Sequence, residues 1–257
     1  MSDVMVGLIG GTGLGEALAQ GSEGERKEID TPFGKPSAPI ILTEIEGQAT
    51  AILARHGEGH RFGPSQVPFR ANLFALKRLG VTHILASGAV GSLRDSIHPR
   101  DLVICDQVID RTVRGPKTFF DELAVHVGFA DPFCPGLRGL LVECGMAVGT
   151  TVHTRGTYVC MEGPQFSTRA ESLLHRQWGA DLIGMTCMPE AKLAREAEIC
   201  YAVIAIPTDY DCWRPHEPGL SPDAVLESII ANVEAGTANA VALMKATVPR
   251  IAETVGP

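Results

Sequence analysis

Two carboxylates, Asp209 and Asp211, flank Tyr210 in the stretch PTDYDCW (207–213), directly after the uncharged run ICYAVIAI (199–206). On an extended backbone residues i and i+2 point to one face, which sets the two acids side by side at the end of a buried strand. Like charges that close resist joint ionisation and burial resists it further, so such a pair tends to hold a proton unless donors reach it. A solvated strand-to-turn junction accounts for the same residues, because Asp is common in turns.

A second set of residues suits an anion. ARHGEGH (54–60) places Arg55, a planar donor fork that fits phosphate oxygens, beside His56, which can add a donor. GGTGLG (10–15) is a Gly-rich turn whose backbone N–H groups and Thr12 hydroxyl can face an anion. It is a poor dinucleotide fingerprint, because the third small position counted from Gly11 and Gly13 is Glu16. SGAVGS (87–92) offers a further turn around Ala89, and Thr186 a further hydroxyl. A tight turn or a surface pair explains any one of these alone; four of them at equivalent strand ends point to a phosphate-sized anion. Phe166, in MEGPQFSTRAE (161–171), is either core or a flat face for stacking on a planar heterocycle. His126, His153 and His175 lack metal-ligand spacing with any Cys or acid, so no metal is expected.

Short apolar runs at 4–13, 50–57, 82–92, 101–110, 156–164, 180–186 and 200–211 read as buried strands ending in polar clusters. Helical patterns at 69–80, 135–149, 167–179, 188–199 and 222–248 lie between several of them. Thr168 and Glu171 have capping-box spacing, and Pro189 suits a first helical turn. Strands alternating with helices give an α/β sheet, and in such sheets ligands gather outside the carboxyl ends of the strands. That is where the polar clusters fall.

The 257 residues, without repeat or linker, read as one domain over 1–257. A net charge of −8 argues against a general nucleic-acid or anionic-membrane surface, so an anionic ligand must be held locally. Seven scattered cysteines without a CxxC pair read as reduced, packed thiols. The start MSDVMVGLIGG carries no basic segment, and its apolar run is too short to span a bilayer. A cytoplasmic location is expected.

The order GGTG, ARHG, GAVGSL, EGPQFSTRAE, GMTCMPEAKLAREAEICYA and TDYDCW resembles the trimeric purine nucleoside phosphorylase family, from about residue 6 to about residue 250, and within it the branch acting on 5′-methylthioadenosine. The resemblance implies a single α/β domain with a central mixed β-sheet flanked by helices, a homotrimer with sites near subunit interfaces, and phosphate as co-substrate with no cofactor. It implies that Thr12, Arg55, His56, the backbone at Ala89 and Thr186 hold phosphate, that Met185 lies against the ribose and Phe166 against the purine, and that Asp209 and Asp211 face N7 and the 6-amino edge. Val225 and Leu226 would line the 5′ substituent's pocket, and His126 would reach a neighbouring subunit's.

Relatives acting on 6-oxopurines typically carry Asn in place of Asp209 and Glu in place of Ser167, so both positions favour a 6-aminopurine. Gly88 departs from the branch, which often has a hydroxyl residue there, and Ser87 or water would stand in. The resemblance implies phosphorolysis of a methylthio nucleoside, with Asp209 assisting departure of the purine. A broader nucleoside phosphorylase using adenosine, inosine or guanosine is the alternative. A hydrolase would need no anion cradle, and a binding protein that has lost turnover is the reading from another class.

Overall fold

The computed structural model describes residues 4–11, 24–215 and 221–254. Eleven strands form one mixed sheet among the described residues: β1 (Met5–Gly10), β2 (Glu25–Lys27), β3 (Ile40–Ile45), β4 (Gln48–Ala54), β5 (Val81–Ser92), β6 (Leu102–Ile104), β7 (Gln107–Asp110), β8 (Val152–His153), β9 (Thr157–Cys160), β10 (Leu182–Gly184) and β11 (Cys200–Tyr210). The helices are α1 (Phe69–Arg78), α2 (Pro135–Gly145), α3 (Arg169–Gln177), α4 (Cys187–Glu196) and α5 (Pro222–Thr254). The main path runs β2-β3-β4-β1-β5-β10-β9-β7, and β5 also pairs with β11, which continues through β6 to β8. The sheet therefore branches at β5, the longest strand.

Period-two alternation explains why β5 and β11 read as continuous apolar runs. Tyr201, Val203 and Ala205 face the core shared with α1 and α4, while Ala202, Ile204 and Ile206 face the core shared with α2 and α5. Ile84 and Ala86 of β5 join the first core and Leu85 the second. A strand covered by helices on both faces has no solvent side on which to place polar residues. Burying one such Leu or Ile contributes about 1.5–3 kcal/mol, which fixes the register of both strands.

Helix starts follow local chemistry. Thr168 caps α3 through Glu171 N, and Glu171 reaches back to the Thr168 N–H, completing the capping box. In α4 Met188 is non-helical, so regular helix starts at Pro189, whose missing N–H costs nothing there. The run 101–110 divides into β6 and β7 at Cys105 and Asp106. Strands β2, β3 and β8 add to those expected. All seven cysteines are free, and no described helix is long and apolar enough to cross a membrane.

Candidate active site

Strands β4, β1, β5 and β11 run parallel to one another, so their carboxyl ends share one edge of the sheet. That edge carries Gly11, Arg55, the Ser87–Ser92 half of β5, and Asp209 to Asp211. Strand β10 arrives antiparallel to β5, with Leu182 opposite Ser92 and Ile183 opposite Gly91. Its continuation delivers Thr186 back toward Gly88: a Cβ built on Gly88 would lie 3.3 Å from Thr186 Oγ1. A Cβ on Gly11 would lie 3.3 Å from Arg55 Nη1 and 3.2 Å from the Ser87 carbonyl. Arg55, Ser87, Gly88 and Thr186 thus converge around Gly11. Thr12 lies outside the described residues.

Within β5, Ala89 alone is exposed. A strand buried on both faces opens to solvent at the residue expected to offer its backbone to an anion. Thr186 precedes α4 without using its hydroxyl as a cap, and the buried Ser87 Oγ has no hydrogen-bond partner among the described residues. Buried polar atoms are seldom left unpaired, so these hydroxyls are available to a ligand.

Arg55 departs from the expected open fork. Its Nε and Nη2 donate to the two carboxylate oxygens of Glu190 at 2.7 Å each, and Nη1 donates to the Ser87 carbonyl at 2.7 Å. Tyr201 Oη donates to Glu190 Oε1 at 2.8 Å. Burial alone opposes the charge on Arg55, but Glu190 outweighs it and raises the pKa above its ordinary value. Of five N–H donors, three are committed. The Nε–Nη2 edge is spent on Glu190, and Arg55 can offer an anion only the one hydrogen left on each Nη. Glu190, fully buried, is a site residue that sequence reasoning missed; the signal for it is that a cation at a buried strand end requires a carboxylate partner.

His56 also differs from expectation. Burial, with the Arg55 charge beside it, lowers its pKa from 6.5 to about 4. The ring is neutral near pH 7, and Nδ1 lies 2.8 Å from the Phe62 carbonyl, which can only accept. Nδ1 therefore carries the hydrogen, and Nε2 is an acceptor rather than the added donor. His60 stacks on the ring at 4.1 Å between centroids.

The two carboxylates meet different surroundings. A register shift between Pro207 and Asp209 inserts Thr208 into the pairing of β11 with β5, and Thr208 Oγ1 donates to Asp209 Oδ1 at 2.9 Å. Asp209 is half-buried. Asp211 N continues the ladder to the Ser92 carbonyl at 3.0 Å, and its side chain is buried against Gly91, with Oδ2 unpartnered among the described residues. The two acids at this strand end therefore differ, one half-buried and bonded to Thr208 and one enclosed.

The other candidates spread outward from this edge. Met185 is half-buried and follows β10. A Cβ on Gly163, at φ +69°, would lie 2.5 Å from Met185 Sδ, so glycine lets the two segments approach. Phe166 is 84 % exposed, a free aromatic face just before α3 rather than core. Val225 is half-buried and Leu226 exposed in the first turns of α5. His126 is exposed in the irregular segment between β7 and α2. Glu162, four residues before Phe166, accepts from Ser65 Oγ and from the amides of Val113 and Arg114 at 2.7 and 3.1 Å.

Comparison with known proteins agrees with this architecture. The family model described as the phosphorylase superfamily matches residues 5–249. The chain is 46 % identical over 257 residues to S-methyl-5′-thioadenosine phosphorylase of Gloeobacter violaceus, covering 98 % of this chain and 84 % of the relative. It superposes with a TM-score of 0.89 on the crystal structure of a methylthioadenosine phosphorylase sourced from an antarctic soil metagenomic library, at 47 % identity, covering 98 % of this chain and 88 % of the other. A variant of adenosine/methylthioadenosine phosphorylase from Schistosoma mansoni in complex with methylthioadenosine superposes at 0.86 with 36 % identity, covering 97 % and 92 % of the two chains.

Proposed function

Because the chain belongs to the phosphorylase superfamily, we propose that it cleaves S-methyl-5′-thioadenosine with phosphate, giving adenine and 5-methylthioribose 1-phosphate. The observation that supports this reading is the shared strand-end edge, where Arg55, Thr186 and the Ser87–Ala89 part of β5 converge and the two dissimilar carboxylates lie beside them at the end of the neighbouring strand β11. High identity to relatives named for this activity supports the choice of substrate.

Phosphate sits among Thr186 Oγ1, Ser87 Oγ, the backbone at Ala89, the uncommitted hydrogens of Arg55, and Thr12. His56 Nε2 accepts from a protonated phosphate oxygen. As the bond between C1′ and N9 lengthens, positive charge develops on the ribosyl centre, and the neighbouring anion stabilises it before forming the new C1′–O bond. The electrons of the broken bond go to the purine, and Asp209 meets the growing charge at N7 by donating a hydrogen bond or its proton. Asp211 Oδ2 accepts from the 6-amino group, which pairs the buried orphan oxygen. Phe166 stacks on the base and Met185 packs on the ribose.

Val225 and Leu226 offer an apolar lining to the methylthio group, and a 5′-hydroxyl there lacks a partner. Neither the phosphate cradle nor the purine edge calls for a metal or redox cofactor. The exposed apolar residues Val113, Phe166, Leu173, Leu174 and Trp178 support self-association, with the family's trimer as the state, and His126 reaching a neighbouring 5′ pocket. The reaction belongs to the cytoplasm, where nucleoside and phosphate are both available.

The test is kcat/KM for methylthioadenosine, adenosine and inosine at saturating phosphate. Methylthioadenosine should lead adenosine by about 10- to 200-fold, the range for a small apolar group in a fitted pocket. Adenosine equal or better would transfer the reading to a broader phosphorylase.

A further inference from the structure

Beyond the two carboxylates the motif TDYDCW continues to Trp213, whose half-buried indole is held by its edge and by its face. Nε1 donates to the Ser92 carbonyl at 2.8 Å, and the same oxygen accepts from the Asp211 N–H at 3.0 Å. A carbonyl has two lone pairs, so both are in use. The guanidinium carbon of Arg176 lies 3.5 Å from the centroid of the indole ring. Tyr210 meets the ring edge-on, with centroids 6.0 Å apart and planes at 88°. Arg176 is itself fixed, because its Nη1 donates to the Leu93 carbonyl at 2.6 Å. Its ion pair with exposed Asp95 is 3.9 Å long and adds little.

These contacts join the two halves of the purine site. The carboxylates lie at the end of β11, whereas Phe166 stands just before α3. Ser172 and Arg176, one turn apart on α3, take the backbone N–H of Trp213 at 3.2 Å and its ring respectively. Cys212 Sγ donates to the Ser167 carbonyl at 3.2 Å. The turn from Asp211 to Arg214 closes through the Arg214 N–H and the Asp211 carbonyl at 3.1 Å. Asp211 is thus pinned to β5 by its own N–H and by the indole two residues further along.

We propose that Trp213, braced by Arg176, is the positioning residue for Asp211 and sets the preference for a 6-aminopurine over a 6-oxopurine, a role that rests on the purine site proposed above. Asp211 Oδ2 is buried and unpartnered among the described residues, so its placement decides whether it reaches the base. A 6-amino group donates to it, whereas a 6-oxo oxygen sets one acceptor against another. Removing the indole N–H leaves Asp211 held at Ser92 by its own N–H alone. The carboxylate then shifts and the 6-amino contact weakens. Arg55, Ser87 and Thr186 lie further back along the strand-end edge and keep their geometry.

Trp213→Phe keeps a ring under Arg176 and removes the donor. Adenine and hypoxanthine are titrated by calorimetry into wild type and variant, and KM is measured for methylthioadenosine and for phosphate. The variant should bind adenine about 10-fold more weakly, the weight of one hydrogen bond, and hypoxanthine nearly as the wild type does. KM for methylthioadenosine should rise while KM for phosphate stays at its wild-type value. Arg176→Lys, which retains the indole and loses the planar guanidinium face, should narrow the adenine-to-hypoxanthine affinity ratio in the same direction by a smaller factor, and it decides the matter should Trp213→Phe not fold. An unchanged ratio in the folded variants overturns the proposal, as does equal weakening of both purines and phosphate, which is what a merely structural role would give. A wild type that binds neither purine overturns instead the purine-site reading, and this role with it.

Discussion

Asp209 keeps one oxygen on the Thr208 hydroxyl and stands half-open, while Asp211 is enclosed with Oδ2 unpartnered, and this difference sets what each can do to a purine. In the proposed reaction Asp209 donates toward N7 and the enclosed Asp211 Oδ2 accepts from the 6-amino group. Asp209→Asn should therefore lower kcat/KM for methylthioadenosine by about 10²- to 10⁴-fold, the range for losing a general acid, and lower it far less for inosine, whose 6-oxo group the amide can meet. Comparable values for both substrates in variant and wild type would remove Asp209 from the site.

Arg55 poses a second residue-scale question, because its fork is spent on Glu190. Arg55→Ala leaves a buried carboxylate without its cation, which costs about 3–5 kcal/mol. A large drop in Tm should accompany any loss of phosphate affinity; unchanged stability would mean that the pair is not buried as described. The residue types of the site were readable in the sequence, since strand-end polar clusters announce themselves. Glu190 was not, because it sits 135 positions from its partner and local pattern carries no trace of so distant a pairing. The acceptor state of His56 was equally hidden, resting on one carbonyl brought round by the turn after β4.

At the scale of elements, β5 organises the site by pairing with β1, β10 and β11. Its apolar alternation made it readable from sequence, as it did β1, β4 and β11. The short or polar strands were not: β2 is ERK, exposed throughout, and β8 has two residues. Their pairing comes from neighbours rather than from their own pattern. The bulge at Thr208 was also invisible, and it is what separates the environments of the two acids. Gly91 lies opposite both Asp209 and Ile183, and a Cβ there would approach Asp211 Cβ to 3.2 Å and Ile183 Cγ2 to 3.3 Å. Gly91→Ala should accordingly displace Asp211 by a few tenths of an ångström and raise KM for the nucleoside several-fold, with a smaller effect on KM for phosphate. Steady-state kinetics with each substrate varied in turn separates the two.

For the whole molecule, the described chain leaves Leu173, Leu174 and Trp178 of the α3 region exposed near Phe166 in sequence, together with Val113 at 86 % exposure. Such apolar surface is what an assembly covers. If the proposed trimer covers this surface, Leu174→Glu should shift sedimentation toward smaller species than wild type and weaken nucleoside use in parallel; a wild-type profile would place the interface elsewhere. The α/β class was readable because strands and helices alternate, and the family because six motifs keep their order. The assembly was expected only through that resemblance, since no periodicity marks a surface for its partner.

The central claim is that the edge formed by Gly11, Arg55, Ser87, Ala89 and Thr186 holds phosphate as the attacking group. Its most direct test is the initial rate of methylthioadenosine cleavage in buffer freed of phosphate and then titrated with it, with the sugar product identified by mass spectrometry. The rate should rise from near zero to saturation with phosphate, and the sugar should leave as 5-methylthioribose 1-phosphate. Equal rates with and without phosphate, with free methylthioribose as product, would contradict the account.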